Sequence, residues 1–363
     1  MSRNTGSVAS SDKSWLKLYA AVAVLPLALT ACGGGGGGSP SAPLTPTPSP
    51  APTPAPTPSP TPAPAPTVGT NWTNVSVTGA GNLTAVDYGN GHFVAVSDTG
   101  AAITSTDGAT WTPAIPLTSN VATDHLKAYA VGHLGTTLVA AGSVSPAPYT
   151  SSTGAVASSA DGTTWTMGSL PAGSTPIHAL IAGTRLVGLG ETGHLYYSTN
   201  GSSWSALTIL SGGIGTLNAG AYGNGIYVGV GDNGYIARSG DSVAWGSGKV
   251  IAISGVGINL HGLAWTGSQF VAVGDNATIT TSPDGAAWSA LKTSAISGTL
   301  RAVAVASDGT IVVVGDNGIE TSPDGNTWTA HNESGVAALQ GATFGNGEFV
   351  AVGAGSTVKT SSN

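Results

Sequence analysis

The chain has 363 residues, with 17 Asp+Glu against 10 Lys+Arg, a formal charge of −7, 55 Gly, 22 Pro and one Cys. Only 7% is charged, where about 25% is usual, which argues against a nucleic-acid binder and against a salt-bridge-laced helical protein. A single Cys closes no intrachain disulfide and builds no Cys-based zinc site; the 40% hydrophobic content supplies a sizeable core, and the glycine excess points to the many turns of an all-β protein.

Residues 1–31 read as a signal peptide. Arg3, Lys13 and Lys17 are opposed only by Asp12, and the apolar run 19–29 is shorter than the ~20 residues a membrane-spanning helix needs. The run closes on Leu29-Thr30-Ala31-Cys32, which resembles the lipobox of bacterial lipoproteins, with the only Cys of the chain where that family is acylated. The resemblance implies that Cys32 is lipidated and heads the mature chain. Gly33 is unlike the Asp that retains many lipoproteins at the inner membrane, so an outer-membrane address in the bacterial envelope is expected, on either face. Residues 1–31 hold three of the ten basic residues and one of the 17 acidic ones, so the remainder carries −9, and the lipid, not the protein surface, should hold the membrane. Residues 32–68 form a glycine hinge (33–38) and a stalk (39–67) in which Pro alternates with Ala, Thr and Ser. That composition favours polyproline II, and at about 3.1 Å per residue the stalk reaches on the order of 90 Å.

Residues 69–363 repeat with a period near 42. Trp72, Trp111, Trp165, Trp204, Trp245, Trp288 and Trp328 mark the units, 39, 54, 39, 41, 43 and 40 residues apart. Four of them close turns of the form Ser-x-Asp-Gly-x-x-Trp, with Asp107, Asp161, Asp284 and Asp324; the turns before Trp204 and Trp245 are degenerate. Each unit reads as a short apolar strand from Leu83, Leu217, Leu300 or their equivalents, then a Gly-Asn-Gly hairpin, a second strand, a Gly-Asp turn and a third strand. A fourth strand begins at the Trp. Four strands per 42 residues is the arithmetic of a propeller blade. The last unit has three strands and the first begins one strand early at residues 71–73, so the N-terminal strand completes the last blade and the ring closes at seven.

These repeats resemble the Asp-box, or neuraminidase-type, propellers and the photosystem II assembly-factor propellers. The spacing differs: Ser-x-Asp-Gly-x-x-Trp is one residue shorter between Asp and Trp than the Asp-box pattern. In both, the Asp and Ser are expected to satisfy turn amides and the Trp to pack between strands.

One column breaks the apolar rule. One residue into each innermost strand stand Thr84, Lys127, His178, Asn218, His261, Arg301 and Gln340, expected to ring one mouth of the central channel. A mixed ring of two His, Lys, Arg and amides suits one asymmetric or anionic ligand. Asp98, Glu191, Asp232, Asp275 and Asp316 fall in turns on the same face, as turn formers or as an acidic rim. The second unit is stretched by residues 143–154, a loop over the same mouth with Tyr149 as its aromatic anchor.

Sialidases with this kind of repeat clamp a carboxylate with three arginines. Arg185, Arg238 and Arg301 are the only ones in residues 69–363, and the alignment places the first two near the opposite face. No Asp or Glu occupies the channel-lining column, as a two-carboxylate glycosidase would require, and His178 and His261 lack a third metal ligand there. The expectation is a monomeric, lipid-anchored, seven-bladed propeller without cofactor, metal or nucleic acid. It acts as a non-catalytic binding or assembly platform for an envelope protein or glycan, held to the membrane through the lipid on Cys32 only. The alternative is a glycan-binding or glycoside-hydrolase-type envelope protein using the same mouth.

Overall fold

The computed structural model describes residues 68–117, 125–144, 152–207, 210, 215–250, 252–253, 256–331 and 338–361. The signal peptide, Cys32, the stalk up to residue 67 and Tyr149 lie outside the described residues.

Seven four-stranded antiparallel sheets form the blades. In the first, Leu83–Gly89 is innermost, followed outward by His92–Ser97, Ala101–Ser105 and Ile115–Pro116. The innermost strands of the others are Lys127–Leu134, Ile177–Ala182, Leu217–Gly223, Leu260–Trp265, Leu300–Val305 and Leu339–Gly345. They stand side by side around the axis, the last against the first. The seventh blade takes Leu339–Gly345, Glu348–Gly353 and Thr357–Ser361 from one end of the sequence and Thr73–Val75 from the other, with Thr73 opposite Thr360. The Gly69 amide donates to Ser361 Oγ at 3.1 Å, and Val68 and Trp72 pack on the cluster around Phe349. The expected closure is therefore present.

Second strands such as Leu186–Gly190, Phe270–Gly274 and Ile311–Gly315 are buried at every position. They read as continuous apolar runs because both faces are covered, one by the preceding blade and one by the next. Val94 and Val96 of blade one, for instance, share a cluster with Leu138 and Ala140 of blade two. Near the axis the strands crowd. The residues just below the mouth are Ala85, Ala130, Ala179, Ala219, Gly262, Ala302 and Gly341. A Cβ on Gly341 would lie 3.1 Å from Ala85 Cα, so even a methyl group there needs the neighbouring strand to give by a few tenths of an ångström. At the other end of the inner strands, a blade's glycine seats the next blade's aromatic ring. A Cβ on Gly345 would fall 2.0 Å from the Tyr88 ring, and one on Gly89 2.5 Å from that of His133.

The Asp turns are structural. Ser105 Oγ donates to Asp107 Oδ1 at 2.9 Å, and the same oxygen accepts the amides of Ala109 (3.0 Å) and Thr110 (2.7 Å). Trp111 Nε1 donates to Gly108 O at 2.8 Å. The Thr110 amide and then the Ser105 hydroxyl hold the Asp107 carboxyl down at about 2. Asp161 and Asp284 repeat the arrangement, as do Asn200 and Asp241 in the degenerate copies, and Asp324 repeats its carboxylate bonds without the Trp328 indole bond.

Candidate functional site

Every innermost strand carries a β-bulge near its start. Pairing steps from Leu83 to Ala85, Ala128 to Ala130, Ile177 to Ala179, Leu217 to Ala219, Leu260 to Gly262, Leu300 to Ala302 and Leu339 to Gly341. A bulge leaves one residue out of the ladder and re-aims its side chain. The seven residues left out, Thr84, Tyr129, His178, Asn218, His261, Arg301 and Gln340, together line a cavity of about 210 Å³. The mouth thus brings together six of the expected residues.

Lys127 is not among them. It is exposed, and Tyr129 takes the second blade's place. The sequence register is disguised by Leu126, which looks like the leucine that opens the other inner strands. Ala128 fills that role instead, opposite Gly142, while Leu126 packs beside Leu117 and donates its amide to Leu117 O at 3.0 Å. Counting back from the hairpin would have found Tyr129. Thr84, Asn218 and Gln340 each precede by six residues the positive-φ residue of their hairpin, Asn90, Asn224 and Asn346, and Tyr129 stands six before Gly135.

Behind the ring stands a second set of side chains. His178 Nε2 lies 3.0 Å from Glu191 Oε1 and His261 Nε2 2.8 Å from Asp275 Oδ1, while Asn218 Nδ2 donates to Asp232 Oδ1 at 3.0 Å and Arg301 Nε to Asp316 Oδ1 at 2.7 Å. Each acid follows the second strand of the same blade, three of them opening tight turns at Glu191–Gly193, Asp232–Gly234 and Asp275–Ala277. Turn former and rim acid are therefore one role. Burial works against the charge of Asp316, but the Arg301 hydrogen bond and the Thr299 amide outweigh it and hold the carboxyl below its ordinary value. Asp98 is the exception. Thr84 is too short to reach it and donates to Ala128 O at 2.8 Å, so Asp98 accepts from Asn82 Nδ2 at 3.0 Å.

The structure adds two features to the mouth face. Tyr129 stacks on His178, ring centroids 4.8 Å apart and planes 3° from parallel, with its hydroxyl 3.0 Å from Ser143 Oγ. The insertion in blade two lengthens the hairpin of Thr137–Val144 and Thr153–Ser159, paired out to Val144 and Thr153; the loop 145–151 lies outside the described residues. In blade four a further hairpin, Ala252–Ile253 with Val256–Gly257, sits against the Asp232–Gly234 turn. Its one sign in the sequence is the 43-residue spacing from Trp245 to Trp288.

The arginines stay apart. Arg301 lines the mouth, Arg185 lies over the Tyr197 ring at 5.0 Å, and Arg238 acts on the charge of Asp284 in a Trp turn. None of the seven mouth residues is a carboxylate. Among the described residues no group of three or more His, Cys, Asp and Glu is placed to hold a metal ion.

No protein-family model matches the chain, and no curated protein matches it. Solved structures do. YCF48 bound to D1 peptide aligns at 15% identity and a TM-score of 0.63 over 82% of this chain and 97% of that one. YCF48 from Cyanidioschyzon merolae aligns at 16% and 0.60 over 80% and 98%. Virginiamycin B lyase from Staphylococcus aureus aligns at 9% and 0.66 over 81% and 99%. At these identities the likeness is one of fold, shared by a peptide-bound protein and a lyase alike.

Proposed function

We propose that this chain is a lipid-anchored envelope propeller that works as a non-catalytic binding or assembly platform, with the mouth ringed by Thr84, Tyr129, His178, Asn218, His261, Arg301 and Gln340 as its receptor surface. The observation that carries the reading is the backing of the ring. Four side chains of three types, from blades three to six, are each fixed by a carboxylate of their own blade. Such a second set of hydrogen bonds pre-orients a recognition surface and lowers the entropy cost of binding. A wall of seven polar groups of six kinds in a concave cavity is also the form a specific polar site takes. That a propeller of this fold, YCF48, is found with a bound peptide supports the platform class. The lipobox at Cys32 and the Pro-rich stalk support display at a distance from a membrane.

Affinity capture from envelope extract tests the platform, using the wild-type chain beside a variant with Tyr129, His178, His261 and Arg301 all replaced by Ala. A protein retained only by the wild type supports the reading. Identical capture by a folded variant overturns it, and a retained glycan that shortens on incubation moves the assignment to the glycoside-hydrolase class. Anchoring is tested separately: Cys32→Ala should move the chain from the membrane pellet to the soluble fraction and abolish labelling by a radioactive fatty acid.

A further inference from the structure

The hydrogen bonds behind the ring determine which atoms face a ligand. A carboxylate only accepts, so a neutral imidazole whose Nε2 faces one carries its proton there and keeps Nδ1 as an acceptor. His178 Nε2 faces Glu191 and His261 Nε2 faces Asp275, so in the neutral form each keeps Nδ1 as an acceptor. Asn218 spends both amide protons, on Asp232 Oδ1 at 3.0 Å and on Leu260 O at 3.2 Å, and keeps its Oδ1. Blades three to five therefore offer a wall of acceptors backed by three carboxylates whose ring partners are uncharged in this form.

The next two blades offer the reverse. Arg301 gives only Nε to Asp316, so among the described residues neither Nη group of its fork has a hydrogen-bond partner, nor has the Gln340 amide beside it. In a seven-membered ring blade four stands across from blades seven and one, so Asn218 faces Gln340 and Thr84 over the cavity. One wall accepts and attracts positive charge; the other donates and carries a planar cation suited to a carboxylate. A lone anion would face the carboxylates behind the first wall, and a lone cation would face Arg301.

Resting on the reading of this mouth as the receptor surface, we infer that it takes a small zwitterion, with a carboxylate on Arg301 and Gln340 and a primary ammonium on Asn218 Oδ1 and the Nδ1 atoms of His178 and His261. The cavity of about 210 Å³ has room for about seven waters at about 30 Å³ each, the bulk of a free amino acid. The sequence suits the ring to one asymmetric or anionic ligand with Lys127 counted in it and with Glu191, Asp232 and Asp275 on the same face as turn formers or as an acidic rim. With Lys127 outside and those acids in place, the polarity of blades three to five is inverted.

The test is calorimetric titration of the full chain with glycine, 4-aminobutanoate and 6-aminohexanoate, with butanoate and butylamine as single-charge controls at equal ionic strength. At least one amino acid should bind tenfold or more tightly than either control. Arg301→Met should bring it down to the level of butylamine, and His261→Phe towards that of butanoate. Should Arg301→Met fail to fold, Arg301→Lys keeps the charge, loses the fork and should weaken the amino acid without changing butylamine. Equal binding of an amino acid and one control overturns the zwitterion and leaves the mouth as a receptor. No binding of any probe, with envelope capture still lost in the four-residue variant, overturns the small ligand and leaves the platform. Capture unaffected by that variant overturns the platform itself.

Discussion

Tyr129 lies flat on His178, so the second and third blades meet at the mouth through two stacked rings while every other neighbouring pair in the ring is unstacked. The stack holds the His178 imidazole from one face as Glu191 holds it from the edge. Tyr129→Phe should keep the stack and lose only the contact with Ser143, whereas Tyr129→Ala should free the His178 ring. The His178 side-chain resonances report this directly: unchanged line widths and shifts in Tyr129→Ala would contradict it.

The pair at the other end of the inner strands gives a pH dependence. His133 Nδ1 lies 2.6 Å from Asp87 Oδ2, and that hydrogen bond raises the His133 pKa above its ordinary value against the opposing effect of burial. A raised folded-state value means the pair stabilises fully below the unfolded pKa, about 6.5, while Asp87 stays ionised, and this is lost as pH rises through the folded value. Asp87→Asn should therefore lower the melting temperature most near pH 5.5 and least above pH 8.

Asp316 has the opposite sign. Its carboxyl is held below the ordinary value, burial opposing but the Arg301 hydrogen bond and the Thr299 amide prevailing. Its contribution is present above the unfolded carboxyl pKa, about 3.9, and fades as pH falls through the depressed folded value. The thermal advantage of wild type over Arg301→Met should be present at pH 7 and shrink below pH 4.

Glu320 is fully buried, and burial pushes its carboxyl up. It accepts from the Ser294 hydroxyl at 2.6 Å and the Ala295 amide at 2.9 Å, tying the link between blades five and six to the third strand of blade six. Glu320→Ala strands both donors and should cost about 1–3 kcal/mol, read as a lower denaturant midpoint with unchanged slope.

Ser242 occupies the position that is glycine in the other Trp turns, and its φ is 64°. An L-residue pays about 1–2 kcal/mol there, while glycine returns about 0.4–1 through the unfolded chain. Ser242→Gly should stabilise by on the order of 0.5 kcal/mol, whereas Gly162→Ser, whose Cβ would lie 2.5 Å from Thr104 Cγ2, should destabilise.

The closure by the N-terminal strand was legible because the last unit lacks the strand with which the first begins, and the blade count and the Asp and Trp turns because a local signal recurs, the Trp in seven copies and the Asp turn in four full and two degenerate ones. Six ring residues were legible for the same reason. Tyr129 was not, since Leu126-Lys127-Ala128 and Ala128-Tyr129-Ala130 both fit the pattern of a ring residue followed by a small one. Only the distance to the hairpin separates them. The bonds from Glu191, Asp232, Asp275 and Asp316 to the ring were invisible for a different reason. They join residues 13 to 15 positions apart that meet only once the bulge has turned the ring residue towards the next turn. Repeat alignment finds columns, and it does not find contacts between columns.

The bond from the Gly69 amide to Ser361 Oγ joins residues 292 positions apart, and Thr73–Val75 pairs across almost the same interval. Closing so long a loop adds little to the equilibrium cost, about 0.6 kcal/mol for each doubling of length, but contacts this distant in sequence are slow to form. Each blade from the first to the sixth takes all its strands from one continuous stretch of chain, so those blades can pair early and independently, while the seventh waits for both extremities. Until then its third strand is an open edge. The same few residues that make the finished ring continuous thus give the unfinished one its aggregation-prone site, and any chain that stops short of Thr357–Ser361 leaves Thr73–Val75 without its partner.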